Sequence, residues 1–291
     1  MLKVYLDMGA KEQTGGVMCV AGALFKQTPY KQFCRHWEPM LRGWGAPWFH
    51  ATDFYSGGGD YFWRRSHVNE PEDPARAEHY RRDSKQIPIW VGTYAYELFV
   101  VCFKKSEYES IAPANWRARY GGVHRIAVQM MGSLVGFWAK HKNYGGKVAY
   151  FYETGDAEGP AVDDAFRKLY DNPRDRQHCR MASTPIGVDK GGARGLEVAD
   201  FLAWQWNKFY AETLAAEKPR QQRKDLDALI TTLLVHNKKP HIKLFTGEAL
   251  EEFLIAHGCH PKWKSVDPNS VCELSADFFS RALGTGGADR Q

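Results

Sequence analysis

With 291 residues, 44% of them hydrophobic, the chain can bury a substantial core in one large or two small domains and should fold unaided. Its 39 Lys+Arg against 34 Asp+Glu leave a formal charge of +5, which suits a polyanionic partner without demanding one. No apolar stretch approaches the ~20 residues of a bilayer-spanning helix. The six cysteines include no C-x-x-C pair and the N-terminus has no signal-peptide pattern, so a reduced, cytoplasmic protein with no membrane partner is expected.

The opening KVYLD alternates apolar and polar residues, breaks at MGAKEQTGG and resumes as the apolar run VMCVAGALF, predicting a hairpin of two strands. Between Tyr30 and Trp44 the apolar residues Phe33, Trp37, Met40, Leu41 and Trp44 recur at helical spacing. The pattern then dissolves into GAPWFHATDFYSGGGDYFWRRSHVNEPEDP, a long aromatic loop of the kind that is usually functional or disordered. A short polar helix over 75–86 and a strand in IWVGTYAYELFV follow. GGVHRIAVQMMGSLVGFWAKH reads as a long helix with Val123, Ile126, Ala127, Met130, Met131, Leu134, Val135 and Trp138 on its inner stripe. GKVAYFY is a short apolar strand ending in ETGD. A helix over 159–170, a strand around CRMASTPIGV and a nearly all-apolar helix in GLEVADFLAWQWNKF come next. Two more helices are predicted within 218–256, and GTGGADRQ as a frayed tail.

Three strands able to form a meander, then strands alternating with helices, is the element order of an α/β ribonuclease H-like domain, a mixed sheet flanked by helices. On this reading 1–215 is the ribonuclease H-like domain, with an aromatic-rich insertion after the second strand at about 45–86, and 216–291 is a C-terminal helical extension.

Three carboxylates fall at matching places in that order. Asp7 sits near the end of the first strand, where the chain is expected to turn through Gly9, Glu153 ends VAYFYE just before Gly155, and Asp200 lies one turn into the apolar helix. If the first and fourth strands are neighbours, Asp7 and Glu153 emerge side by side, and Asp200 approaches from the helix packed across them. Converging carboxylates repel unless a cation neutralises them. Hard oxygen donors suit Mg²⁺ or Mn²⁺, which keep several waters and accept a phosphate oxygen. Glu197, one turn before Asp200, is a candidate further ligand, or an acceptor that orients a metal-bound water. Each acid also has a plainer reading. Strand-end acids are often turn formers or solvated termini, and a buried helix acid is often the partner of an arginine.

YLD at the start, GALF in the second strand, FHATDF at 49–54, VAYFYETGD at 148–156 and GLEVADFLAW at 195–204 together resemble the domain of unknown function 3800 family, over most of residues 1–210. Members of that family look like ribonuclease H-like proteins and are regarded as metal-dependent nucleases. The resemblance implies hydrolysis of DNA or RNA phosphodiesters at a two-metal site of Asp7, Glu153 and Asp200, with His50 at the histidine that follows the first helix. Where family members commonly read Asp-Glu-Ser-Gly, this chain reads DMGA at 7–10, Met8 and Gly9 standing in place of an acid and a hydroxyl. The alternative expectation is therefore a catalytically degenerate protein that binds nucleic acid or acts as a scaffold.

Weaker signals surround these. His50 and Asp53 are three apart and precede Gly57, Gly58 and Gly59, so an arm could carry the imidazole as a general acid or substrate clamp, or it is an ordinary surface histidine. Trp48, Phe49, Phe54, Tyr55, Tyr61, Phe62 and Trp63 lie beside Arg64 and Arg65, which suits single-stranded nucleic acid, although core or dimer packing is the better reading for most of these rings. Lys190 and Arg194 in DKGGARG are candidate phosphate contacts, and a homodimer is the candidate assembly. HGCHPKW at 257–263 holds zinc-capable residues without two well-formed ligand pairs, and no Walker-type or G-x-G-x-x-G loop occurs.

Overall fold

The computed structural model describes residues 1–10, 16–64, 74–112, 114, 117, 122–154, 159–189, 191–215, 223–245, 247 and 250–252. The strand alternation read in the first residues sets its layers. β1 (Leu2–Ala10) sends Leu2, Val4 and Leu6 into one core and Tyr5 into another on the opposite face, as the two-residue period of a strand requires. β2 (Val17–Phe25) is buried at every position, so both of its faces are covered. It pairs antiparallel with β1 and with β3 (Glu97–Lys104). β4 (Val148–Glu153) runs parallel to β1, β5 (Ile186–Val188) parallel to β4, and β6 (His241–Phe245) parallel to β3. The result is one mixed six-stranded sheet in the order β5-β4-β1-β2-β3-β6.

Among the described residues the helices with defined bounds are, in chain order, α1 (Gln27–Trp44), α2 (Ala51–Ser56), α3 (Pro74–Asp83), α4 (Ile87–Tyr94), α5 (Lys105–Ile111), α6 (Val123–His141), α7 (Gly159–Asp171), α8 (Pro173–His178), α9 (Arg194–Ala215) and α10 (Lys224–Val235). α6 and α7 cover the face that carries Val4 and Leu6. Every residue of the predicted α6 stripe is buried there, each large apolar side chain contributing roughly 1.5–3 kcal/mol. α1, α2, α4, α9 and α10 cover the Tyr5 face.

Several expectations change. The segment 87–94 is a helix with Pro88 in its first turn, and strand β3 begins only at Glu97. Among the described residues the expected loop is largely helical, α2 and a 3-10 turn at Gly59–Arg64 following α1, while the short polar helix expected over 75–86 is present as α3. Its rings supply the ordering energy. Trp44 stacks on Phe54 at 5.4 Å, and Phe49, Phe54 and Tyr61 are buried. The strand expected around 179–188 contracts to Ile186–Val188, with Met181 forming an isolated bridge to Val148. Downstream of 215, α10 is helical as expected, and residues 247 and 250–252 are helical as well. HIKLF buries Lys243 and Phe245, exposes Leu244 and enters the main sheet as β6, so this part of the chain is not a purely helical extension. Lys238, between the two, donates from Nζ to the carbonyls of Gly92, Thr93 and Ala95 at 2.9, 2.7 and 2.7 Å, closing the C-terminal end of α4. The zinc-capable stretch at 257–263 and the glycine-rich tail lie outside the described residues. No helix among the described residues is long and apolar enough to cross a membrane.

Candidate carboxylate site

Register places the first two acids. Leu6 pairs with Tyr152 across β1 and β4, so one step further along both strands Asp7 comes beside Glu153. Tyr5 and Phe151, two residues earlier, stack at 5.1 Å on the face covered by α9, and the two-residue period sends Asp7 and Glu153 to that same face. α9 runs close along β1. A Cβ at Gly195 would collide with the Tyr5 ring, and a Cβ at Gly9 would lie 3.9 Å from Ala203. The helix therefore passes Asp7 between Gly195 and Ala203, the stretch that carries Asp200. Asp7, Glu153 and Asp200 are each half-buried.

α9 also grips the segment that leads into α2, at alternate residues. Arg194 Nη1 donates to the Pro47 carbonyl at 3.1 Å, Glu197 accepts from the Phe49 amide, and Asp200 Oδ2 accepts from the Ala51 amide at 2.7 Å. Residues 194, 197 and 200 form one stripe of a helix. The segment they hold is extended, with His50 at φ −131° and ψ 111°. Glu197 is further engaged. It is 3% exposed, its Oε2 accepts from Trp37 Nε1 at 2.5 Å and its Oε1 from Arg194 Nη1 at 2.5 Å. Burial pushes its pKa up to about 7, against the opposing pull of Arg194 and Trp37. Both Glu197 oxygens are thus taken by protein donors, and the Arg194 guanidinium, also 4.0 Å from Glu38, is turned to carboxylates of its own chain.

His50 is the N-cap residue of α2, and its Nδ1 lies 2.6 Å from Asp53 Oδ2. Tyr61, buried, donates to the Trp48 carbonyl at 3.3 Å. Burial above all, then the charges of Glu197, Asp60, Asp200 and Asp53, raises its pKa, so its hydroxyl stays protonated amid these acids. The insertion's rings are mostly spent on one another. Tyr55 stacks on Trp204 at 3.9 Å, and Arg223 lies over Trp204 at 4.5 Å, while Trp48 keeps partial exposure. Arg64 closes the 3-10 turn, and Arg65 and Lys190 lie outside the described residues.

Sequence reasoning did not assign Trp37 or Tyr61 to this neighbourhood. Trp37 occupies a stripe position of an amphipathic helix and looks like any core ring. The signal available was that a buried indole N–H needs an acceptor and a buried acid needs a donor.

Among the described residues no three His, Cys, Asp or Glu side chains gather closely enough to hold a metal ion. Asp7 and Glu153, on adjacent strands, fall on one face of the sheet. No family model matches the chain, and comparison with curated proteins and with solved structures finds no match.

Proposed function

We propose that the protein is a ribonuclease H-like, metal-dependent phosphodiesterase acting on nucleic acid, with Asp7, Glu153 and Asp200 as the carboxylates that would hold Mg²⁺ or Mn²⁺. The observation carrying this reading is the register that puts Asp7 beside Glu153 on the face crossed by the helix bearing Asp200. The strand sequence β3-β2-β1-β4-β5, antiparallel through the first three and parallel thereafter, supports the fold assignment. Resemblance to the domain of unknown function 3800 family belongs to the same proposal. Bound ions would supply charge neutralisation and a water of lowered pKa. The chain's own contribution is to hold three acids against their mutual repulsion, to keep the segment around His50 beside them, and to shield one side of the site with α9. The excess of 39 basic over 34 acidic residues favours a polyanionic substrate.

The test is incubation with labelled single- and double-stranded DNA and RNA, with Mg²⁺ or Mn²⁺ and with EDTA. Cleavage that EDTA stops and that Asp7→Asn or Glu153→Gln removes without unfolding supports the proposal. The second reading, a catalytically degenerate nucleic-acid-binding protein, is favoured by one observation: Asp200 Oδ2 is engaged by the Ala51 amide. Binding indifferent to EDTA, with no cleavage, selects it.

A further inference from the structure

We infer that Asp53 is the positioning residue for His50, holding the imidazole as its Nδ1–H tautomer so that Nε2 is the nitrogen left to exchange a proton with a ligand. Its bearing on hydrolysis rests on the nuclease reading above; the positioning itself does not.

The argument starts from donor inventory. An ionised carboxylate can only accept, so at 2.6 Å from Asp53 Oδ2 the hydrogen belongs to Nδ1, and the lone pair of the neutral ring lies on Nε2. The carboxylate is itself confined. Gly57 ends α2 at φ 67°, Gly58 N–H donates to the Asp53 carbonyl at 2.9 Å, and Gly59 turns at φ 48°. A Cβ on Gly59 would stand 2.7 Å from Asp53 Oδ2, so the glycine run lets the backbone wrap over this acid where any other residue would push it from the imidazole. His50 is held from its other side, because the amides of Phe49 and Ala51 are bound by Glu197 and Asp200 of α9. The ring is therefore fixed at its backbone by the helix that carries Asp200 and at Nδ1 by Asp53. With side chains 25% and 36% exposed, His50 and Asp53 remain reachable by a solute. A carboxylate behind a histidine in this way fixes the tautomer and the orientation of the ring.

The experiment is nitrogen NMR of the full chain carrying ¹⁵N-labelled histidine, recorded at pH 8.5, well above the ordinary imidazole range of about 6.5. The expected result is a protonated, pyrrole-type Nδ1 and a pyridine-type Nε2 for His50. Asp53→Ala should shift the ring toward the Nε2–H form, and Asp53→Asn, which keeps an acceptor oxygen, should restore the wild-type pattern. On a cleavable substrate, Asp53→Ala should lower kcat by roughly 10–100-fold with KM little changed. A wild-type His50 with Nε2–H, or the same tautomer in Asp53→Ala, overturns the inference. An altered tautomer with undiminished kcat overturns the part His50 plays in hydrolysis. Absence of any hydrolysis by the wild type, with the tautomer pattern as expected, overturns the nuclease reading and leaves the Asp53–His50 relationship standing.

Discussion

Asp200 Oδ2 accepts the amide hydrogen of Ala51 at 2.7 Å, across 149 residues of sequence. The acid that the sequence marks out in an apolar helix thus satisfies an otherwise orphaned first-turn donor of α2 and ties the neighbouring His50 to α9. Removing the acceptor should cost what losing a helix cap costs. Asp200→Ala is expected to lower stability by about 0.5–2 kcal/mol in urea unfolding. Asp200→Asn, whose amide oxygen can still accept, should lose clearly less. Equal losses for the two substitutions would contradict the assignment.

Glu197 makes stability depend on pH. Its pKa rises on folding from an ordinary 4.5 to about 7, chiefly through burial, so between those values the folded state keeps a proton that the unfolded chain has lost. The contribution is therefore full below about pH 4.5 and lost as pH rises through about 7, up to roughly 3 kcal/mol at about 1.36 kcal/mol per pH unit. Glu197→Gln keeps an acceptor but does not titrate. The difference in urea midpoint between wild type and this variant should change steadily from pH 4.5 to 7.5, with the wild type losing ground. Parallel pH curves would refute the burial account.

Much of this could be read before any coordinates. Alternation of Leu2, Val4 and Leu6 against Tyr5 and Asp7 gives the face of β1, and the α6 stripe is buried residue for residue. The segment 87–94 misled because Ile, Trp, Val and Tyr favour strands locally, whereas packing against α10 holds it as a helix. β6 hid because five residues give too short a pattern to separate strand from helix. Glu153 and Asp200 were legible as a strand-end acid and a helix acid, whereas Asp7, expected at the end of the first strand, lies inside β1, which runs on to Ala10. The company these acids keep was not legible: the match between 194, 197 and 200 on a helix and 47, 49 and 51 on an extended segment exists only once both are folded.

Gly195 sets how closely α9 approaches β1. Alanine is the better helix former by about 1 kcal/mol, yet its Cβ would strike the Tyr5 ring. Overpacking of this kind costs about 1–3 kcal/mol and should prevail. Gly195→Ala is expected to lower Tm, and Gly145→Ala, where nothing lies within 4 Å, to leave it nearly unchanged. A stabilised Gly195→Ala would mean that the helix does not lie against Tyr5.

Lys238 closes α4 through three carbonyls, and burial holds its pKa below the ordinary lysine value. Lys238→Met keeps most of the stem and removes the donors. Charged hydrogen bonds of this kind contribute about 1.5–3 kcal/mol, so the urea midpoint should fall accordingly, with early amide exchange in 87–94. Unchanged exchange in that helix would show that its end is held by other means.

The account stands or falls on Asp7, Glu153 and Asp200 acting as one cation-binding set. Calorimetric titration with Mn²⁺ of the wild type and of Asp200→Asn addresses it most directly, because the asparagine can keep the bond to Ala51 while removing the charge. The predicted result is Mn²⁺ binding by the wild type and an affinity lower by about tenfold or more in the variant, at nearly unchanged Tm. Equal Mn²⁺ affinity in the two proteins, or no Mn²⁺ binding by the wild type, would contradict it.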